Sequence, residues 1–373
     1  MKSLSFRDRT DSPGPKKLLA LDGGGIRALI TIEVLAEIER ILRERFNDER
    51  LLLADYFDYV AGTSSGAMLA AAISWGMTVA DLRTFFLRNS HAMFDKASLL
   101  ERLRYKYRQE KLAGLVRKEL GADTTLGSDR LKTLLMVVLR NATTDSPWPL
   151  SNNPRAKFND PTLQDCNLNI PLWQILRACT AAPLFFPPEV IAMGSRKFVF
   201  LDGAVTTYNN PAFLLFLMAT VEPYRLCWEA NEEKMLLVSV GTGIAPQANA
   251  DLKPSQMNVL YNAGSIPSAL MYAAKVQQDV LCRIFGQCRS GDLIDSEVGD
   301  MCKIKGPLDS KLFSYVRYNV ELSPGGLGAL GLGAIDPRKV MAMDSTAAVG
   351  DLQRIGTALG AARVSSEHFA GFL

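Results

Sequence analysis

The sequence predicts an α/β fold in which a mostly parallel central sheet carries helices on both faces. Short apolar runs repeatedly stop at glycine, and apolar residues at helical spacing follow them. Residues 17–21 (KLLAL) halt at Asp22-Gly23-Gly24-Gly25, as a buried parallel strand entering a turn does. Residues 30–45 then place Ile30, Val34, Leu35, Ile38, Ile41 and Leu42 on one helical face. The pattern repeats where residues 59–61 meet Gly62 and residues 67–75 follow. Two further apolar runs, residues 198–201 and 235–240, end at Asp202-Gly203 and Gly241-Thr242-Gly243. Residues 101–120 carry seven Lys or Arg against three Glu, with Leu103, Tyr107, Leu112, Leu115, Val116 and Leu120 forming an apolar side. A solvated amphipathic helix is expected there, with a membrane-facing surface as the alternative. Residues 323–333 (SPGGLGALGLG) read as a glycine-rich loop packed on the body, and the last forty residues as helix.

A chain of 373 residues that is 48% hydrophobic can bury a large core. A net charge of +3 is too balanced for a dedicated binder of nucleic acid polymers. The six cysteines form no CxxC pair and read as reduced, buried thiols. The first seventeen residues hold no apolar stretch that would serve as the core of a signal peptide, so a cytoplasmic protein is expected. No apolar run reaches the ~18 residues of a membrane-spanning helix, and any action on the inner membrane would be peripheral.

Three short segments carry chemistry. Gly62-Thr63-Ser64-Ser65-Gly66 matches G-x-S-x-G, the strand-to-helix bend in which glycines relieve crowding and a serine hydroxyl stands free. The helix N-terminus at that bend favours an oxyanion beside the hydroxyl. Asp22-Gly23-Gly24-Gly25-Ile26-Arg27 follows the first strand, and its consecutive glycines let backbone N–H groups approach an anion. Gly23, Gly25 and Ala28 also satisfy the dinucleotide pattern G-x-G-x-x-A, although Asp22 would set a carboxylate near the pyrophosphate. Asp202, before Gly203 and Ala204, closes an apolar strand, so its carboxylate is expected at the same sheet edge as Ser64. The chain has only two histidines, His91 and His368, which makes Asp202 a candidate base for Ser64. A Ser64-Asp202-His368 triad is the competing arrangement, and a non-catalytic nucleotide-binding or scaffold protein the competing class.

Together these segments resemble the patatin-like phospholipases. The motifs fall in that family's order: DGGGIR at 22–27, GTSSG at 62–66, ACTAAPLFFPP at 178–188, DGA at 202–204 and SVGTG at 239–243. The resemblance implies a three-layer patatin-like α/β fold and a phospholipase that cleaves fatty-acyl esters. It implies Ser64 as nucleophile, Asp202 as base, and the amides of Gly24, Gly25 and Ser65 as oxyanion hole. Asp22, Gly23, Arg27, Gly62, Gly66 and Gly203 would support the motifs, with no metal or cofactor needed for catalysis. Ala28 stands where many relatives have a further glycine. The implied partners are a phospholipid membrane surface, a cyclic dinucleotide activator such as cyclic GMP-AMP in antiviral defence, and further copies of the chain. The expected division is a flexible tail over 1–15, a catalytic core over 16–245, and a mainly helical, regulatory extension over 246–373 packed on the core.

Overall fold

The computed structural model describes residues 5–93, 110–183, 185–244 and 252–373. Its strands are β1 (Lys16–Leu21), β2 (Tyr59–Thr63), β3 (Leu134–Asn141), β4 (Ser146–Ser151), β5 (Glu189–Met193), β6 (Arg196–Asp202), β7 (Met235–Val240), β8 (Gln287–Ser290) and β9 (Ser314–Tyr318). The helices of the first half are α1 (Phe6–Thr10), α2 (Ala28–Phe46), α3 (Leu53–Tyr56), α4 (Ser65–Trp75), α5 (Val79–Met93) and α6 (Glu110–Leu120). Those of the second half are α7 (Leu172–Cys179), α8 (Ala212–Thr220), α9 (Val259–Phe285), α10 (Pro324–Ala329), α11 (Pro337–Met341) and α12 (Val349–Arg363).

All nine strands form one sheet. A parallel run of β3, β2, β1, β7, β9 and β8 makes its body, while β4, β5 and β6 join antiparallel. β1 and β7 are buried almost throughout, as parallel strands covered on both faces must be. The register around β3 positions the site. β3 pairs with both β2 and β4 over residues 136–138, and with both β4 and β6 over residues 139–141. A strand has only two edges, so β6 lies on the same edge of β3 as β2. It approaches head-on and stops where β2 stops.

Several expectations change. Residues 1–15 were expected as a flexible tail, but a capping box between Ser5 and Asp8 starts α1, Phe6 is fully buried, and Arg9 pairs with Asp58 at 2.9 Å. One buried aromatic and one buried ion pair are enough to dock this segment. The extension beyond residue 245 does more than pack on the core, because it supplies β8 and β9 to the central sheet; residues 245–251, at the expected boundary, lie outside the described residues. Residues 324–329 form a short helix capped by Ser323 where a loop was expected. Of residues 101–120, positions 101–109 lie outside the described residues, and in α6 Leu112, Val116 and Leu120 are buried. Within α6 that apolar side faces the body. Cys227 is exposed and Cys302 half-buried, so the thiols are not all interior.

α12 packs along α2, and two glycines one turn apart, Gly356 and Gly360, let it come close. A Cβ on Gly356 would stand 2.7 Å from the Glu33 Cβ and 2.8 Å from the Ile30 carbonyl oxygen, whereas a Cβ on Gly350 would meet nothing within 4 Å. Alanine favours a helix over glycine by about 1 kcal/mol, but overpacking costs about 1–3 kcal/mol. Gly350→Ala is therefore expected to raise the thermal midpoint and Gly356→Ala to lower it, a difference in sign that calorimetry on the two variants reads directly.

Candidate active site

Ser64 sits at the bend between β2 and α4 with φ 55° and ψ −128°, a conformation that costs a non-glycine residue free energy and recurs at functional turns. The glycines around it are required by contact. A Cβ on Gly62 would meet the Gly66 carbonyl oxygen at 2.2 Å, and one on Gly66 would meet the Leu21 carbonyl oxygen at 2.4 Å. The Ser64 side chain does not cap α4. Its hydroxyl instead donates to Asp202 Oδ2 at 2.6 Å.

Asp202 reaches Ser64 because β2 and β6 meet end to end along β3. Thr63 is in register with Val138 and Asp202 with Leu139, so the residue after Thr63 and the last residue of β6 are neighbours. Both groups thus lie at one level of the sheet as expected, with β6 arriving antiparallel in a sheet expected to be mostly parallel. Gly203 turns the chain away against β3, where a Cβ would stand 2.3 Å from the Val138 carbonyl oxygen. Asp202 Oδ1 accepts the Ala204 amide at 2.8 Å, and the Asp202 amide donates to the Ala181 carbonyl. Burial pushes the Asp202 carboxyl up to about 7, against the hydrogen bonds from Ser64 and Ala204 that favour its ionised form.

The glycine loop lies beside the bend. The Gly24 amide donates to Ser65 Oγ at 3.2 Å, which ties the loop to the first residue of α4. Gly25 has φ 61°, and a Cβ there would stand 2.3 Å from the Met343 carbonyl oxygen. That same carbonyl accepts the Ile26 amide at 2.9 Å, an N–H that a bound pyrophosphate would need, so the geometry does not favour the dinucleotide reading. Arg27 is buried with its Nε unpaired, and burial pulls its guanidinium down to about 10.

Asp22 has no exposed surface. Arg317 of β9 holds it with a two-pronged pair at 2.9 and 2.7 Å, and Lys275 of α9 stands 3.7 Å away. The Lys275 ammonium also donates to the Gly23 carbonyl at 3.0 Å, as does the Thr242 hydroxyl. Burial lowers Lys275 to about 8. His368 is elsewhere: its Nδ1 lies 2.9 Å from the Tyr318 hydroxyl on β9. Successive side chains of a strand point to opposite faces, so Tyr318 and His368 lie across the sheet from Arg317 and Asp22.

Comparison with known proteins decides the family. The family model described as patatin-like phospholipase matches residues 19–216, just over half of the chain. The chain belongs to this family. It is 29% identical to Patatin-T5 of Solanum tuberosum over 61% of this chain and 60% of that protein. It is also 29% identical to a cGAMP-activated phospholipase of Vibrio cholerae over 61% of this chain and 64% of that one. The chain thus spans about three fifths of the length of these curated relatives. Among solved structures, VipD from Legionella pneumophila overlays with a TM-score of 0.37 at 16% identity, covering 92% of this chain and 67% of its own.

Lys275, Arg317 and Met343 all lie beyond the matched patatin-like region, yet they hold its glycine loop. Sequence reading passed over them because no local motif marks them; only Arg317, a charge within the apolar alternation of residues 314–318, stands out in retrospect. Arg317→Met would remove both charged hydrogen bonds to the buried Asp22 and leave only Lys275 at 3.7 Å, at a cost of about 3 kcal/mol. Its urea midpoint is expected to fall accordingly, and the double variant Asp22→Asn/Arg317→Met to recover most of the loss.

Proposed function

We propose that the protein hydrolyses fatty-acyl esters of membrane glycerophospholipids through a Ser64–Asp202 dyad. The observation that carries this reading is the 2.6 Å hydrogen bond from the Ser64 hydroxyl to a buried carboxylate at a strained strand-to-helix bend. Ser64 Oγ attacks the ester carbonyl carbon while its proton passes to Asp202 Oδ2. The amides of Gly24, Gly25 and Ser65 receive the developing oxyanion, and the substrate oxygen displaces the Ser65 hydroxyl that the Gly24 amide now engages. Collapse expels the lysolipid alcohol, which takes the proton from Asp202. Water, activated by the same carboxylate, then releases the fatty acid. Asp22, Gly23 and Arg27 shape the glycine loop, and Gly62, Gly66 and Gly203 permit the two tight turns that bring the dyad together.

A carboxylate at its ordinary pKa of ~3.9 would be a feeble base, and the upward push on Asp202 to about 7 corrects this. Asp202 accepts a proton only when ionised, so activity is expected to fall as pH drops through the neutral range. A kcat/KM profile on a soluble ester should bend with an apparent pKa of about 7; a profile flat down to pH 4 would count against the assignment. Ser64→Ala and Asp202→Asn are each expected to cost ~10³-fold or more in turnover, and His368→Ala less than about threefold. A loss of order 10³ in His368→Ala would replace the dyad with the triad.

Regulation is the second part of the proposal. The Vibrio cholerae relative is named for activation by cGAMP, and an enzyme that attacks its own cell's inner membrane needs an idle state. Activation by a cyclic dinucleotide in antiviral defence meets that need. Release of fatty acid from phospholipid vesicles, followed by mass spectrometry, is expected to rise at least tenfold when the matching cyclic dinucleotide is added. Equal activity with and without a panel including cyclic GMP-AMP would remove this part and leave the dyad standing.

A further inference from the structure

α9 (Val259–Phe285) has two unlike halves. From Lys275 onward it is built into the body, with Lys275, Gln278, Asp279, Cys282 and Arg283 buried. Before Lys275 the helix stands clear. Val259 is 83% exposed, Leu270 65% and Ile266 51%, and Met257 just ahead of the helix is 51% exposed. Val259, Ala263, Ile266 and Leu270 follow one another at i, i+4, i+7 and i+11, which sets them in a single stripe. Asn262 flanks the stripe, Ser265 and Ser268 share the other side with Tyr261, Gly264 and Tyr272, and no charged residue occurs between Lys253 and Lys275. Scattered surface apolar residues are ordinary, but a continuous apolar stripe marks an interaction site.

Where the stripe leads says what covers it. It continues into Ala273, Ala274 and Gln277, and these, with Pro267 and Leu270, form one wall of a cavity of about 640 Å³. The rest of its lining includes Val205, Thr206 and Thr207, which begin three residues after Asp202, and the polar group Arg140, Asp145 and Ser146; Val205 is itself 40% exposed. An apolar surface thus runs into an opening beside the Asp202 turn. A lipid leaving a bilayer would follow that path, whereas a second copy of the chain seated on the stripe would cover the opening. Among the described residues no helix is long and apolar enough to cross a membrane. An uncharged helix with an exposed apolar stripe flanked by serine, asparagine and tyrosine suits the lipid–water boundary instead.

We propose that the first half of α9 is the membrane-docking element, lying in the surface of a phospholipid bilayer with Val259, Ile266 and Leu270 among the acyl chains. This rests on the reading of the protein as a phospholipid acyl hydrolase. Docking in this pose sets the cavity mouth, three residues along the chain from Asp202, against the bilayer.

The test uses full-length protein and vesicles of phosphatidylcholine and phosphatidylglycerol. In Ser64→Ala protein, which removes turnover from the measurement, sedimentation with vesicles is expected, and adding Val259→Glu and Ile266→Glu should lower the bound fraction at least tenfold. Both positions are exposed, so the thermal midpoint should hold. In otherwise wild-type protein the same pair should lower vesicle hydrolysis at least tenfold while hydrolysis of a water-soluble short-chain ester stays within twofold. Unchanged vesicle binding would overturn the proposal, and so would an equal loss on the soluble ester. A switch from oligomer to monomer on adding the glutamates would also overturn it by making the stripe a contact between copies. If wild-type protein hydrolyses neither substrate, with or without a panel of cyclic dinucleotides, while vesicle binding still depends on Val259 and Ile266, the docking element stands and the hydrolase reading falls.

Discussion

A carboxylate with no solvent exposure stands at the end of the central strand, and the rest of the site depends on how Asp22 is paired. A buried charge needs both an opposite charge and filled hydrogen-bond capacity, and Arg317 supplies both through its two terminal nitrogens. Lys275 adds a second cation and ties down the next carbonyl, that of Gly23. Such a network contributes more to geometry than to net stability, because desolvation offsets much of the attraction. What it fixes is the direction in which the chain leaves β1, hence where the amides of Gly24 and Gly25 point. Both cations come from beyond residue 245, so the chain cannot be cut there into an independent catalytic core and an accessory. Without β9 and α9, Asp22 would be a buried, uncompensated charge.

A second constraint is the head-on meeting of β2 and β6. In a purely parallel sheet, residues at neighbouring strand ends are separated by a full strand spacing, and an imidazole commonly bridges the gap between acid and nucleophile. Here both strands end on the same edge of β3, which brings Asp202 within direct hydrogen-bond reach of Ser64 and leaves no space for a third side chain between them. The same packing excludes water from Asp202. In the proposed dyad, the topology that brings acid and nucleophile together without a histidine also raises the proton affinity that an unaided carboxylate lacks.

Legibility in the sequence followed the range of the forces involved. β1, β2, β7 and the bend at Ser64 were readable because their apolar runs stop at glycines whose need is local. β6 was readable as a strand but not in direction, since alternation is the same read either way. β9 was missed: SYVRY places Arg317 in the middle of a buried strand, which makes sense only once Asp22 is known to face it. The N-terminal helix was missed for a related reason, because its fate is set by Arg9 meeting Asp58, 49 residues along the chain. Of the site, the serine, the aspartate and the glycines were legible as residue types at turns; the residues that orient the glycine loop were not, because their partners are distant in sequence.

α9 joins the two scales. Lys275, which holds the Gly23 carbonyl, lies five residues beyond Leu270 on the same helix, about 7.5 Å at 1.5 Å per residue. A straight helix would pass any displacement of its exposed half directly to the glycine loop. Pro267 lies between the outer turns and Lys275, and proline removes a backbone hydrogen bond and permits a bend. The outer turns, Val259 and Ile266 included, can therefore adjust to a surface while the turn bearing Lys275 stays clamped to Asp22 and Gly23. A helix that must both meet a deformable surface and hold an amide in place needs such a joint, and Pro267 is where this sequence provides it.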